Sequence, residues 1–244
     1  SVNHFVYNSA FLFLEGILLL WTFQPSLGHP REASWRTQCK NNLKQIGLAM
    51  HNFHDEHQAF PAAGGTTSDG KELWTWRVAL LPYLDEKPLS SVFHLDEPWN
   101  SPHNTALQEK CPPTYKCPSH HSEKRHTDFA MLRGPGTVGG DGVAGVPIKQ
   151  ITDGTSNTLL VVEACGREII WTEPKDVEIT DQALGINLPG PQPGRSRGIL
   201  SSYHPSGSHV LVADGTVRFL SEKTDPQLLK RLSITDGEII SFEW

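Results

Sequence analysis

A basic surface is missing from this sequence. Lys and Arg number 21 against 27 Asp and Glu, giving a net charge of −6 and a pI of about 6.0. Nucleic-acid binding needs concentrated positive charge to neutralise phosphates, so no nucleic-acid partner is expected. Long apolar runs are missing too. The most apolar stretch, Phe11–Phe23, has thirteen residues and includes Glu15, whereas a membrane-spanning helix needs about 20. With charged residues at 20% and a mean hydropathy of −0.36, a multispan membrane protein is excluded. There is no H-E-x-x-H string and no G-x-x-x-x-G-K-[ST] phosphate loop. The glycine-rich stretch 134–145 has no Lys-Ser/Thr step after it, so it reads as a flexible excursion. No EF-hand spacing occurs, and calcium is left unassigned. No two cysteines stand at C-x2-C distance, the usual zinc-knuckle signature.

What is present begins with Arg36–Pro61. Cys39, Leu43, Ile46, Met50 and Phe53 recur at steps of 4, 3, 4 and 3. That spacing lays one apolar stripe along a helix. Lys40, Asn41, Lys44, Gln45 and Asn52 fall mostly off the stripe. Pro61, with Phe60 held extended before it, predicts the stop. Upstream, Phe11–Phe23 fits three alternatives. It has the length of a secretory signal with a cleavage site at Ser26-Leu27-Gly28. It also fits a retained anchor continuous with the helix, or a buried helix of the domain. The expected organisation is therefore a hydrophobic signal or anchor segment at 1–28 and one domain at 29–244.

Gly 21 and Pro 18 together favour loops and short strands over a helical bundle. The pattern predicts short helices near Arg77–Leu84, Leu89–Phe93 and Pro226–Leu232. It predicts a turn at Asp153-Gly154 opening a strand, Thr158–Val162, that ends at the acid Glu163, and a final strand at Glu238–Phe242. The strongest local signal is Ser208–Leu220, where Asp214-Gly215 has the chemistry of a two-residue hairpin turn. Pairing about it sets Val212 opposite Val217 and Val210 opposite Phe219 on one apolar face. Ala213 opposite Thr216 and Leu211 opposite Arg218 then share the other. The helix is expected to cover the apolar face.

Several residues carry candidate chemistry. The four cysteines, Cys39, Cys111, Cys117 and Cys165, allow three full pairings, and Cys111 with Cys117 could close a small loop. His51, His54 and His57 lie beside Asp55 and Glu56 on the helix end. A metal there is one reading, but imidazoles capping the last carbonyls explain them as well. Trp74, Trp76 and Trp99 could form a sugar-stacking platform, or serve as packing. His204, Asp214 and Glu163 could be assembled into a site, yet Asp214 already has a sufficient role in the turn. No nucleophile and base pairing stands out, so no enzyme is expected.

The string RTQCKNNLKQIGLAMHNFHD followed by FP resembles the opening of a pseudopilin-like family typical of planctomycetes, built around a domain of unknown function. Pro25 and Arg31-Glu32-Ala33 sit where that family's pattern puts them. WRVALLPYLDEKPLSSVFHLDEPWNSPHNTAL, Cys117-Pro118-Ser119, ITDGTSNTLLVVE and a C-terminal His-x9-Asp-Gly, here His204 with Asp214-Gly215, match it further. On this resemblance Cys39, Asn41, Asn42, His51, His54, Cys117, Asp153, Gly154, His204, Asp214 and Gly215 are motif positions. It implies an exported or membrane-anchored, non-catalytic subunit of an envelope or secretion-like assembly, with other envelope proteins and itself as partners. The expected fold is α+β and pilin-like, a long N-terminal helix on an antiparallel sheet with display loops. A soluble extracytoplasmic module binding carbohydrate or another solute through Trp74, Trp76, Trp99 and Glu163 is the alternative, and a hydrolase the less favoured one.

Overall fold

The apolar stripe forms one helix. In a computed structural model, which describes residues 28–66, 72–140, 144–190 and 196–236, α1 runs Gly28–His57. The chain divides into two compact units, 1–34 and 35–244, and the sheets and both cores belong to the second. The run Phe11–Phe23 and the strand expected at Glu238–Phe242 lie outside the described residues. Among the described residues, no helix is long and apolar enough to cross a membrane.

Cys39, Leu43, Ile46 and Met50 are fully buried, with Phe53 half-buried at the end of the stripe. Each such aliphatic side chain contributes about 1.5–3 kcal/mol on burial. The helix ends at His57, before Pro61 is reached. Gln58 turns to a φ of 62°, and its N–H bonds to His54 O at 2.7 Å. This is a left-handed helix end, with glutamine in the place glycine usually takes.

The sheet that α1 covers has five strands in the order β7-β4-β5-β8-β9. These are β4 (Phe129–Arg133), β5 (Leu159–Glu163), β7 (Val177–Glu178), β8 (Gly207–Val212) and β9 (Val217–Ser221). All neighbours are antiparallel except β4 and β7. Two small pairs flank it: β1 (Gly64–Thr66) with β2 (Glu72–Thr75), and β3 (His126–Thr127) with β6 (Ile169–Ile170). The class is α+β.

Both sheet faces are buried, not one. Phe129, Met131, Val161, Leu211 and Ala213 pack with Leu43, Ile46, Ala49 and Met50 of α1. Ala130, Leu132, Val162, Val210 and Val212 face a second core of Val177, Ile186, Leu200, Leu229 and Leu232. Leu160 and Val161 both belong to the first core, because the β5–β8 register shifts between Leu159 and Val161. A bulge there lets consecutive side chains share a face. Helix and sheet approach closely at Gly47, where an added Cβ would stand 2.8 Å from Leu211 Cδ1. Glycine costs about 1 kcal/mol in a helix interior, and here it lets α1 seat on β8.

The expected hairpin exists, but its register differs by one residue. Leu211 faces Val217, Val210 faces Arg218 and His209 faces Phe219. Three residues, Ala213, Asp214 and Gly215, form the connection. Gly215 N donates to Val212 O at 2.9 Å, Val212 N donates to Thr216 O at 3.0 Å, and Gly215 has a φ of 84°. A three-residue loop ending in a left-handed glycine replaces the two-residue turn. Val210 and Val212 consequently turn to the second core, and Phe219 stays on the α1-facing side with Leu211 and Val217. It is 37% exposed, with the Arg36 guanidinium 4.3 Å over its ring.

The helix expected at Arg77–Leu84 is broken into α2 (Trp76–Ala79) and a 3₁₀ turn, Leu81–Tyr83. Pro82 has no N–H to donate and disfavours helical backbone at Leu81. Further on come α3 (Lys87–Val92), α4 (Pro102–Thr105) and α5 (Pro226–Leu232). The last has the bounds the sequence gives it, capped by Asp225 Oδ1 accepting from Gln227 N at 3.1 Å.

Candidate functional site

Where the buried stripe of α1 begins, polar groups from five segments meet. Cys39 of α1 is bonded to Cys117 of the loop before β3, with the two Cα atoms 5.5 Å apart. The bond closes no small loop with Cys111, as the spacing had suggested. Helical geometry holds Cys39 on the inner face, level with Cys117, and Cys111 stays a free thiol. Cys165, just after β5, packs against the pair and is also a free, buried thiol. Burial pushes the Cys165 thiol well above its ordinary value, and the charges of Asp128 and Glu163 push it the same way. Burial likewise raises Cys111 to about 12. Neither thiol is set up as a nucleophile.

Two fully buried carboxylates frame the cysteines. Glu163, at the end of β5, has its Oε2 held by Ser208 Oγ at 3.1 Å and by His209 N at 3.0 Å. Its Oε1 faces His209 Nδ1 at 3.3 Å and His204 Nε2 at 3.7 Å. The same His204 nitrogen lies 3.6 Å from Cys117 Sγ. Asp128 accepts from Cys117 N at 2.8 Å and pairs with His120 Nδ1 at 2.5 Å. His120 is stacked on Tyr203 with ring centroids 4.7 Å apart. Cys39, Cys117, Glu163 and His204 can each offer one ligand atom within 4.8 Å of the others, and all four are buried. Chemically, this is a covalent staple beside a carboxylate–imidazole pair, closed to solvent.

A second buried ion pair is fastened to the backbone of β4. Arg77 Nη2 meets Asp176 Oδ1 at 2.6 Å, and both side chains are fully buried. Arg77 also donates to Phe129 O and Thr75 Oγ1, while Asp176 accepts from Trp76 Nε1 and Met131 N. Burial raises the Asp176 carboxyl above its ordinary value, against the pull of Arg77.

The motif residues divide into those that converge and those that do not. Cys39, Cys117, Glu163 and His204 meet in the cluster. Asn42 donates to Lys116 O at 2.8 Å, fastening α1 to the same loop, whereas Asn41 is exposed. Asp214 stays with its turn, accepting from Thr216 N and Thr216 Oγ1 at 2.8 and 2.7 Å. The imidazoles of the helix end do not cap carbonyls. His54 Nε2 accepts from Ile148 N at 3.2 Å, and His51 stands edge-on to Phe60. The N–H groups of Thr152 and Asp153 both bond Thr235 O, and Gly154 turns at a φ of 90°.

The tryptophan platform is corrected. Trp76 is fully buried in the first core and spends its indole N–H on Asp176, so it offers no face to a sugar. Trp74 and Trp99 are half-buried, and Trp74 packs against that core. Glu163 is enclosed and cannot meet a solute.

Asp128, His120, His209 and the Arg77–Asp176 pair escape a reading of the sequence. One signal was available: an arginine inside the apolar string WRVALL needs a buried partner. A G-x-S-x-G string, GRSRG at 194–198, also escapes it. A nucleophile elbow needs a strand before and a helix after the serine. Here Ser196 Oγ accepts from Gly198 N at 3.0 Å in a loop that no helix follows.

Comparison with known proteins adds one finding. No curated protein and no solved structure matches the chain. A family model matches residues 28–147 and 136–227, most of the chain, and so takes in α1, the sheet and every member of the buried cluster. The chain belongs to the family described as "Protein of unknown function (DUF1559)".

Proposed function

We propose that the chain is a non-catalytic, pseudopilin-like structural subunit, exported or anchored at the bacterial envelope, of the kind typical of planctomycetes. The observation that carries the reading is the Cys39–Cys117 bond at the root of the buried helix stripe. Disulfides persist in oxidising compartments outside the cytoplasm. The layout supports the same reading: one long helix laid across a mainly antiparallel sheet, with short helices and loops elsewhere. The groups that could do chemistry, Glu163, His204 and Cys165, are enclosed and serve one another. Partners are then other envelope subunits or further copies of the chain.

The test is cell fractionation with intact-mass and N-terminal sequencing of the mature chain, followed by in-cell crosslinking. A mature chain in the membrane or extracytoplasmic fraction that crosslinks to itself or to other envelope proteins supports the proposal. A reduced, uncrosslinked chain in the cytoplasmic fraction overturns it.

A further inference from the structure

The four side chains Cys39, Cys117, Glu163 and His204 have a use that the staple does not exhaust. We infer that, once the Cys39–Cys117 bond is reduced, they form a metal site for a borderline-soft dication such as Zn²⁺. Three observations carry this, and none depends on the envelope reading.

The first is the donor set. Two thiolates, an imidazole and a carboxylate are ligands that zinc and cobalt(II) favour, and hard oxygen-seeking cations do not. The second is geometry. A tetrahedral zinc ion, with bonds of about 2.3 Å to sulfur and 2.0–2.1 Å to nitrogen or oxygen, sets its ligand atoms roughly 3.3–3.8 Å apart. Cys117 Sγ to His204 Nε2 is 3.6 Å, and His204 Nε2 to Glu163 Oε1 is 3.7 Å. All four donors lie within 4.8 Å of one another. The third is support. Ser208 Oγ and His209 N hold Glu163 Oε2, and Oε1 lies between His209 Nδ1 at 3.3 Å and His204 Nε2 at 3.7 Å. Such outer contacts orient a ligand before the metal arrives. The segment 118–122 outside Cys117 is half-exposed or exposed and gives a short way in.

The site is gated by oxidation state. A dithiol passes two electrons and two protons to the Cys39–Cys117 bond and becomes a disulfide itself, leaving two protein thiols. Zn²⁺ then forms two Zn–S bonds, and each thiol releases its proton. Exchange with a small-molecule disulfide, which takes up the two electrons and two protons and leaves as two thiols, re-forms the Cys39–Cys117 bond and expels the ion, because a disulfide has no thiolate to offer.

The full chain is reduced with dithiothreitol, desalted without air and titrated with Co²⁺, then Zn²⁺, beside an oxidised sample. The expected result is one equivalent of Co²⁺ with a thiolate-to-metal charge-transfer band in the reduced chain, displaced by Zn²⁺, and no band in the oxidised chain. Glu163→Gln and His204→Gln should each weaken Co²⁺ binding at least about tenfold. Cys39→Ser should remove about half of the thiolate band, while Cys111→Ser and Cys165→Ser leave it in place. Circular dichroism reports folding of each sample. A reduced chain with no thiolate band overturns the inference, folded or not, since an unfolded reduced chain has no such site. A band that survives Cys39→Ser but is lost in Cys165→Ser overturns it as well. Fractionation results decide the envelope reading separately.

Discussion

Removing the Cys39–Cys117 bond perturbs the molecule in a way that can be sized in advance. The bond joins residues 78 apart in sequence. In the chain-entropy account, cross-linking a loop of that length stabilises the fold by about 4.5 kcal/mol at 25 °C, mainly by restricting the unfolded chain. For a body of roughly 200 residues that is a fall in Tm of about 10 °C on reduction. Two perturbations separate the contributions. Reduction leaves both sulfurs in place and removes the cross-link alone. The double substitution Cys39→Ala, Cys117→Ala also leaves a cavity, adding about 1 kcal/mol. The single substitution Cys39→Ala is a poorer choice, because it leaves Cys117 a free thiol with Cys165 packed in the same cluster. The assay is urea denaturation of oxidised, reduced and double-variant protein without added metal, with peptide mapping to fix the bonded pair. An oxidised and a reduced form within about 1 kcal/mol of each other would refute the reasoning. So would a mapped Cys111–Cys117 peptide.

Three further outcomes are expected. Gly215→Val should destabilise by about 2–3 kcal/mol, since valine at a φ of 84° is strained and its Cβ would stand 3.3 Å from the His51 ring. Gly215→Asn should cost less than half of that, and equal costs in urea denaturation would remove the left-handed loop from the account. Arg77→Met should cost about 3–5 kcal/mol by leaving Asp176 charged and enclosed. The double variant Arg77→Met, Asp176→Leu should recover most of it, which a double-mutant cycle measures. Cys111, with its thiol pushed up to about 12 by burial, has roughly one part in ten thousand as thiolate at pH 8. An aromatic disulfide reagent should therefore leave Cys111 and Cys165 unlabelled in the native protein and label both in urea. Rapid native labelling of either would contradict the burial argument.

How much of this could be read in the sequence depends on the range of each interaction. The stripe Cys39, Leu43, Ile46, Met50 and Phe53 is periodic within one helix, so its buried face is legible. α5 is legible because Asp225 and Pro226 mark its start locally. The hairpin is legible as a hairpin but not in register. Asp-Gly suits a two-residue turn, and only the packing of Leu211 and Val217 on α1 selects the three-residue connection. The cluster is less legible still. Cys39, Cys117, Asp128, Glu163, His204 and His209 are brought together by strand order, and nothing local in the sequence encodes that β5 lies between β4 and β8. Trp76 is a different case. The sequence left it as either a platform member or packing, and the buried Asp176, which gives its indole N–H an internal partner, decides for packing.

The cluster and the apolar stripe together fix α1 in two different ways. Apolar contact at Leu43, Ile46, Ala49 and Met50 holds the helix down on the sheet but is non-directional and tolerates small sliding. Directional contacts at the start of the stripe do not. Asn42 holds Lys116 O, Cys39 is bonded to Cys117, and Cys117 N is held by Asp128, itself between β3 and β4. One set of links thus runs from the helix through a loop to the sheet. Any force or partner acting on the N-terminal side of Cys39 would meet a clamped helix, and its load would pass into β4 and β5 before reaching the hairpin. Reduction should loosen that clamp without unseating Leu43–Met50. Hydrogen exchange would then rise first in the loop 111–122 and in the turn of α1 around Cys39, and last at Gly47, where an added Cβ would meet Leu211 of β8.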